Sequence, residues 1–162
     1  MDNKKGSRII TIKEFMTEFD KINNCQNLFL TKLYEPNQNQ LMIEVCLGYV
    51  SEREEEIYVS NVHIGLGRQI IFDNYSNKYR IYFDSYISYF VLNESFDKGM
   101  IGEYSGNRIR EYKQSAFIDF CRKETSGFAI IGESTIKHFV FVTQNHIVNV
   151  LTKNSLDIQS IN

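Results

Sequence analysis

The sequence predicts an α+β domain: a curved, mostly antiparallel sheet with an N-terminal helix and a second helix near residues 115–124. Three observations lead there. Apolar residues recur at helical spacing in two stretches, each behind a capping candidate. Elsewhere the pattern alternates with period two in short runs rich in Tyr, Phe, Val and Ile, which suit a pleated, half-buried surface. Turn-forming clusters such as "EPNQNQ" and "DNYSNK" stand between those runs.

Residues 1–8 read as a loose polar lead-in. In "ITIKEFMTEFDKI" Thr11 precedes Glu14 by three positions, a capping box, with Ile10 and Phe15 at the staple positions. Ile12, Phe15, Phe19 and Ile22 then predict a helix over 12–23 with one face on the core. "LFLTKLY", "EPNQNQ" and "QLMIEVCLGYV" read as a hairpin, with the only proline in its turn. "EIYVSNVHI", "RQIIFD", "KYRIYFDS" and "YISYFVLN" are further strand candidates. Tyr79, Ile81 and Phe83 share a face, and the unbroken length of the last two runs predicts a bend near Asp84 and Ser85. "NRIREY" is a short strand. "QSAFIDFCRKET" is the second helix, with Ser115 as cap and Phe117, Phe120 and Cys121 on its apolar face. "GFAII", "IKHFVFVT" and "HIVNVLT" return to strand, with a tight turn at Gln144 and Asn145.

At 162 residues the chain fits a single domain spanning 1–162, large enough to bury a sizeable core. A hydrophobic share of 43% and an aromatic share of 14% argue against disorder. The formal net charge of -2, from 18 basic and 20 acidic residues, leaves no basic footprint for a phosphate backbone, so nucleic acid is not expected as a partner. No segment approaches the ~18 apolar residues of a membrane helix, and the N-terminus lacks an apolar leader core. A soluble cytoplasmic protein is expected. Cys25, Cys46 and Cys121 are odd in number and lie in no C-x-x-C spacing, which reads as reduced, buried thiols.

The residues suggest no cofactor, no metal site and no catalytic group. Gly65 and Gly67 imitate half of a dinucleotide loop, but Ile70 stands at the third position, so a turn is the simpler reading. His63, His138 and His146 do not fall at metal-ligand spacing. Ser95 and Ser115 lack a nucleophile-elbow context. His146 reads as a structural histidine bonded to a carbonyl or carboxylate.

Two clusters stand out. Glu52, Glu54, Glu55 and Glu56, gathered around Arg53, form the densest acidic patch; such a run is usually a solvated loop or strand rim, and otherwise a docking surface for a basic protein. Glu94, with Asn93 and Ser95, sits where the most aromatic run ends. It reads first as an anchor that accepts backbone N–H bonds or pairs with Arg108 or Arg110.

Residues 80–151 resemble a set of small bacterial proteins with an N-E-S-[F/Y] run, a G-x-x-x-R-x-Y strand, a helix start rich in Ser, Phe and Asp, and a late N-H-I-[I/V]-[D/N]-V strand. The matching residues are Asn93, Glu94, Ser95, Phe96, Gly106, Tyr112, Ser115, Phe117, Asp119, Asn145, His146, Ile147 and Val150. The resemblance is similar in kind to toxin-immunity proteins and implies a cytoplasmic inhibitor of a toxin domain, a nuclease by expectation, with no activity of its own. Two other readings stand beside it: a ligand- or single-stranded-nucleic-acid-binding module on an aromatic sheet face, and a small hydrolase or transferase with a site around Glu94 and His146.

Overall fold

The computed structural model describes residues 16–161. The Thr11 and Glu14 box and the residues 1–8 lie outside them. Within them the first helix, α1, is Glu18–Asn23, with Met16 and Thr17 outside it; residues 12–15 of the expected helix lie outside the described residues. Thr17 is extended and caps it: its hydroxyl oxygen accepts the Asp20 N–H, and the Asp20 carboxylate accepts the Thr17 N–H. A second capping box, Thr17 with Asp20, therefore fixes the start. Ile22 enters the core, while Phe19 stays partly exposed.

Ten strands follow and form two antiparallel sheets, so the chain is α+β, and the expected curved sheet divides into two layers. The first is ordered β1-β2-β4-β10: β1 is Asn27–Tyr34, β2 Leu41–Val59, β4 Lys78–Phe83 and β10 Asp157–Ser160, with β3, Val62–Ile71, on the far part of β2. The second is ordered β5-β9-β8-β7-β6, from Ser88–Asn93, His146–Thr152, Lys137–Val142, Ile109–Tyr112 and Tyr104–Ser105. The bend expected at Asp84 and Ser85 is the crossing between layers. Thr152 Oγ1 donates to the Ser85 carbonyl at 2.7 Å and holds it.

Period-two alternation explains the core. Ile43, Val45, Ile81 and Phe83 from the first sheet meet Phe139, Phe141, Val148 and Val150 from the second, with Leu28 and Ile22 closing the side. Burying a large aliphatic or aromatic side chain is worth about 1.5–3 kcal/mol, so this layer supplies most of the driving force. The layers are also tied by polar groups. Asn23 Oδ1 accepts three successive N–H groups, from Asn107, Arg108 and Ile109, at 2.9, 2.9 and 3.0 Å. The Arg108 guanidinium in turn donates to the carbonyls of Cys25 and Gln26.

The outer face of the second sheet is covered by α2, Ala116–Glu124, through Phe117, Ile118 and Cys121. Phe120, expected on that face, is exposed, and Ile118 takes its place. "GFAII" is not a strand but a short helix, α3, Gly127–Ile131; a five-residue apolar run carries no decisive period. Bare Gly127 leaves room for Ile87, which would lie 2.7 Å from a Cβ there. No described helix is long and apolar enough to cross a membrane.

Candidate functional site

Beyond Gly48, β2 leaves both of its sheet neighbours behind. Its register with β1 ends at Gly48 and with β4 at Cys46, and from Tyr49 to Val59 its partner is β3. The result is a two-stranded arm. "EIYVSNVHI" is thus not one strand but the tip of a hairpin, and Ser60 and Asn61, at φ 48° and 68°, supply the turn. Gly65 and Gly67 lie inside β3 and not in a turn. Gly65 has a φ of 145° where the register shifts, and Gly67 leaves space for Ile57, whose Cδ1 would be 2.3 Å from a Cβ at that position. The base is pinned by Tyr49, which donates to Asp73 at 2.9 Å, and by Phe29 against Phe72, with centroids 5.0 Å apart.

The acidic run belongs to this arm. Four carboxylates stand against two guanidiniums, Arg53 and Arg68, an excess of two negative charges. Glu54 pairs with Arg68 at 3.2 Å, and Glu55 accepts from Gln69 at 2.6 Å with Arg53 at 3.7 Å. Glu56 accepts the Tyr58 hydroxyl at 2.6 Å, which raises the phenol's pKa. Neither Glu52 nor Glu56 has an ion pair among the described residues, so the uncompensated charge sits on these two. Toward the tip the charges stop: residues 57–67 contain no Asp, Glu, Lys or Arg. Instead Val62, Ile64 and Leu66 are 65%, 63% and 66% exposed.

The second predicted cluster comes apart. Asn93 ends β5 and its Oδ1 accepts the Ser95 N–H at 3.0 Å, starting a single 3-10 turn. Glu94 is exposed in that turn, and its carboxylate has no hydrogen bond or ion pair among the described residues. The anchor expected of Glu94 is corrected to Asn93. Arg108 and Arg110 are engaged elsewhere, Arg110 donating to the Asn107 carbonyl and lying 4.7 Å over the Tyr104 ring. His146 pairs with Asn93 across β5 and β9, yet its Nδ1 is buried without a partner, contrary to the carbonyl or carboxylate bond expected.

One polar cluster was not anticipated. Ser115, His138 and Asn149 form a buried chain: Ser115 Oγ lies 2.8 Å from His138 Nδ1, and His138 Nε2 lies 3.0 Å from Asn149 Oδ1. Ser115 Oγ also accepts the Ile118 N–H as the cap of α2. The economical assignment has the hydroxyl donating to Nδ1 and the Nε2–H donating to Asn149. Burial holds the imidazole pKa down at about 4, so the ring is neutral at ordinary pH. The order imitates a nucleophile triad, but the hydroxyl is buried and committed on both sides. A nearby cavity of about 40 Å³, lined by Leu92, Met100, Arg110, Val142 and Asn149, has room for a water or two. No three His, Cys, Asp or Glu side chains group to hold a metal among the described residues.

Glu44 is the anchoring carboxylate that the sequence did not reveal. It is buried on β2, 2.7 Å from Arg80 and 3.2 Å from Lys32. Desolvation raises its pKa, and hydrogen bonds and charge from Arg80 and Lys32 outweigh that and lower it. Comparison with family models, curated proteins and solved structures finds no match to the chain.

Proposed function

We propose that the chain is an immunity protein, which binds and neutralises a cognate toxin domain by protein–protein contact in the cytoplasm of the producing bacterium. The observation that carries this reading is the β2 side of the arm, a strand held out from the core with Glu52 and Glu56 uncompensated along it. Inhibition by binding needs a presented surface and not a reaction centre, and the buried Ser115 hydroxyl is already spent on helix capping. An acidic rim fits a basic partner, such as a nuclease whose own surface must attract phosphate, because complementary potential speeds encounter and fixes orientation. No cofactor and no nucleic acid enter this reading.

The test is capture of partners from the native host by the intact protein and by a Glu52→Lys, Glu56→Lys variant, followed by surface plasmon resonance. The variant is expected to slow association by roughly tenfold at low salt, with little change in dissociation. A captured protein that associates at the wild-type rate with the variant overturns the docking role. A captured toxin whose activity survives an excess of the chain overturns the immunity reading.

A further inference from the structure

The two edges of the arm differ in chemistry. β2 carries four carboxylates within residues 52–56, whereas β3 reads "VHIGLGRQII", without a single acid. β3 pairs with β2 alone, so its other backbone edge meets no strand among the described residues. Natural edge strands are commonly guarded by lysine, proline or bulges. β3 has neither lysine nor proline; its one charge, Arg68, is tied to Glu54, and its register against β2 shifts twice, between Ile70 and Arg68, where the extra residues belong to β2, and near the tip, between Gly65 and His63. Val62, Ile64, Leu66 and Ile70 are all exposed along it. A two-stranded ribbon by itself is marginal, and further strands stabilise it.

We propose that this edge is a self-association surface: a second copy lays its own β3 antiparallel against it, producing a continuous four-stranded ribbon with the β2 strands outermost. The sequence of β3 suits a twofold axis. The register that sets Leu66 against the second copy's Leu66 sets Arg68 against Ile64 and Ile70 against Val62, so no like charges meet. The β2 edge is unsuited to the same pairing, because an antiparallel match of residues 52–56 with themselves brings carboxylate against carboxylate, which destabilises a ladder. A lipid surface is the poorer occupant, since the carboxylates at the arm's base would face anionic headgroups. Self-association through β3 leaves the acidic β2 side free, so this surface is separate from the one proposed for the toxin.

Sedimentation velocity on the full chain, from low-micromolar to sub-millimolar concentration, tests it together with amide hydrogen exchange at both extremes. A reversible dimer is expected, with concentration-dependent protection confined to β3. An Ile64→Lys, Leu66→Lys variant is expected to raise the dimer dissociation constant by roughly tenfold or more, with an unchanged melting temperature because both side chains are exposed. Glu52→Lys, Glu56→Lys, which should slow association with the toxin, is expected to leave the dimer intact, so the two proposals fail separately. A monomer at every concentration, a dimer indifferent to the β3 lysines, or a monomer that binds phosphatidylcholine vesicles through the same residues each overturns the inference.

Discussion

Asn145 grips Leu30 across the two layers: its Oδ1 accepts the Leu30 N–H, and its Nδ2 donates to the Leu30 carbonyl, both at 3.1 Å. The amide side chain acts as one residue of a strand, at the place where the register of β1 against β2 shifts. Asn145→Ala is expected to destabilise the protein by about 1 kcal/mol, since both bonds are solvent-exposed. Asn145→Asp keeps the acceptor but sets a carboxylate against a carbonyl, and should cost at least as much. Chemical denaturation of the two variants measures both.

The buried imidazole gives a pH dependence with a defined sign. His138 has a folded pKa of about 4, below the unfolded value of 6.5, so the unfolded chain takes up a proton first as pH falls. Its contribution is present above the unfolded value and is lost as pH drops toward the folded one, about 3 kcal/mol across that window. Comparing wild type with His138→Gln isolates the effect: their stability difference should shrink steadily from neutral pH down to about pH 4. A constant difference would show that the ring does not titrate on unfolding.

Two glutamates should behave in opposite ways. Glu94→Ala is expected to leave the melting temperature unchanged, because no described residue depends on that carboxylate. Glu44→Ala leaves Arg80 and Lys32 without the buried carboxylate they pair with and should cost about 1–3 kcal/mol. Differential scanning calorimetry on the pair separates them; a loss at Glu94 as large as that at Glu44 would reverse the assignment.

Gly106 has a φ of 91°, and a Cβ on it would lie 2.0 Å from the Ile109 carbonyl oxygen. Both conformation and space exclude a side chain, so Gly106→Ala should destabilise by roughly 2 kcal/mol or more. The same substitution at Gly99, where φ is 77° but no atom lies within 4 Å, should carry the conformational part alone. The difference between the two variants in urea measures the steric part.

Much of the fold was legible because its signals are local. Alternation picked out Tyr79, Ile81 and Phe83, and Ser115 marked the start of α2 by its capping chemistry. The Thr17 box is hard to read from sequence because Asp20 stands where the capping-box pattern calls for Glu or Gln. β10 was missed because "DIQS" offers one apolar residue, and it is a strand only because β4 has an edge to fill. Of the candidate residues, the acidic run was seen but not its setting: the charge count could not show that Arg68 and Gln69, fourteen residues on, absorb Glu54 and Glu55. The chain of Ser115, His138 and Asn149 joins β8, β9 and a helix start, so no sequence spacing could reveal it.

β2 holds both core and arm in a single unbroken strand, Leu41 to Val59, roughly 60 Å long at strand rise. Its first residues are locked between two strands, β1 and β4, and its last are held by one neighbour, so resistance to opening must fall along its length. Exchange of its amides should therefore grade from slow near Ile43 to fast near Tyr58, as a ruler of local stability within one element. Where the arm leaves the core, the register against β3 shifts between Val50 and Glu54, and a bulge of this kind bends the strand and sets the direction in which the arm points. Capture then loses little freedom of orientation, and any strain imposed at the tip runs down the same backbone into the packed layer.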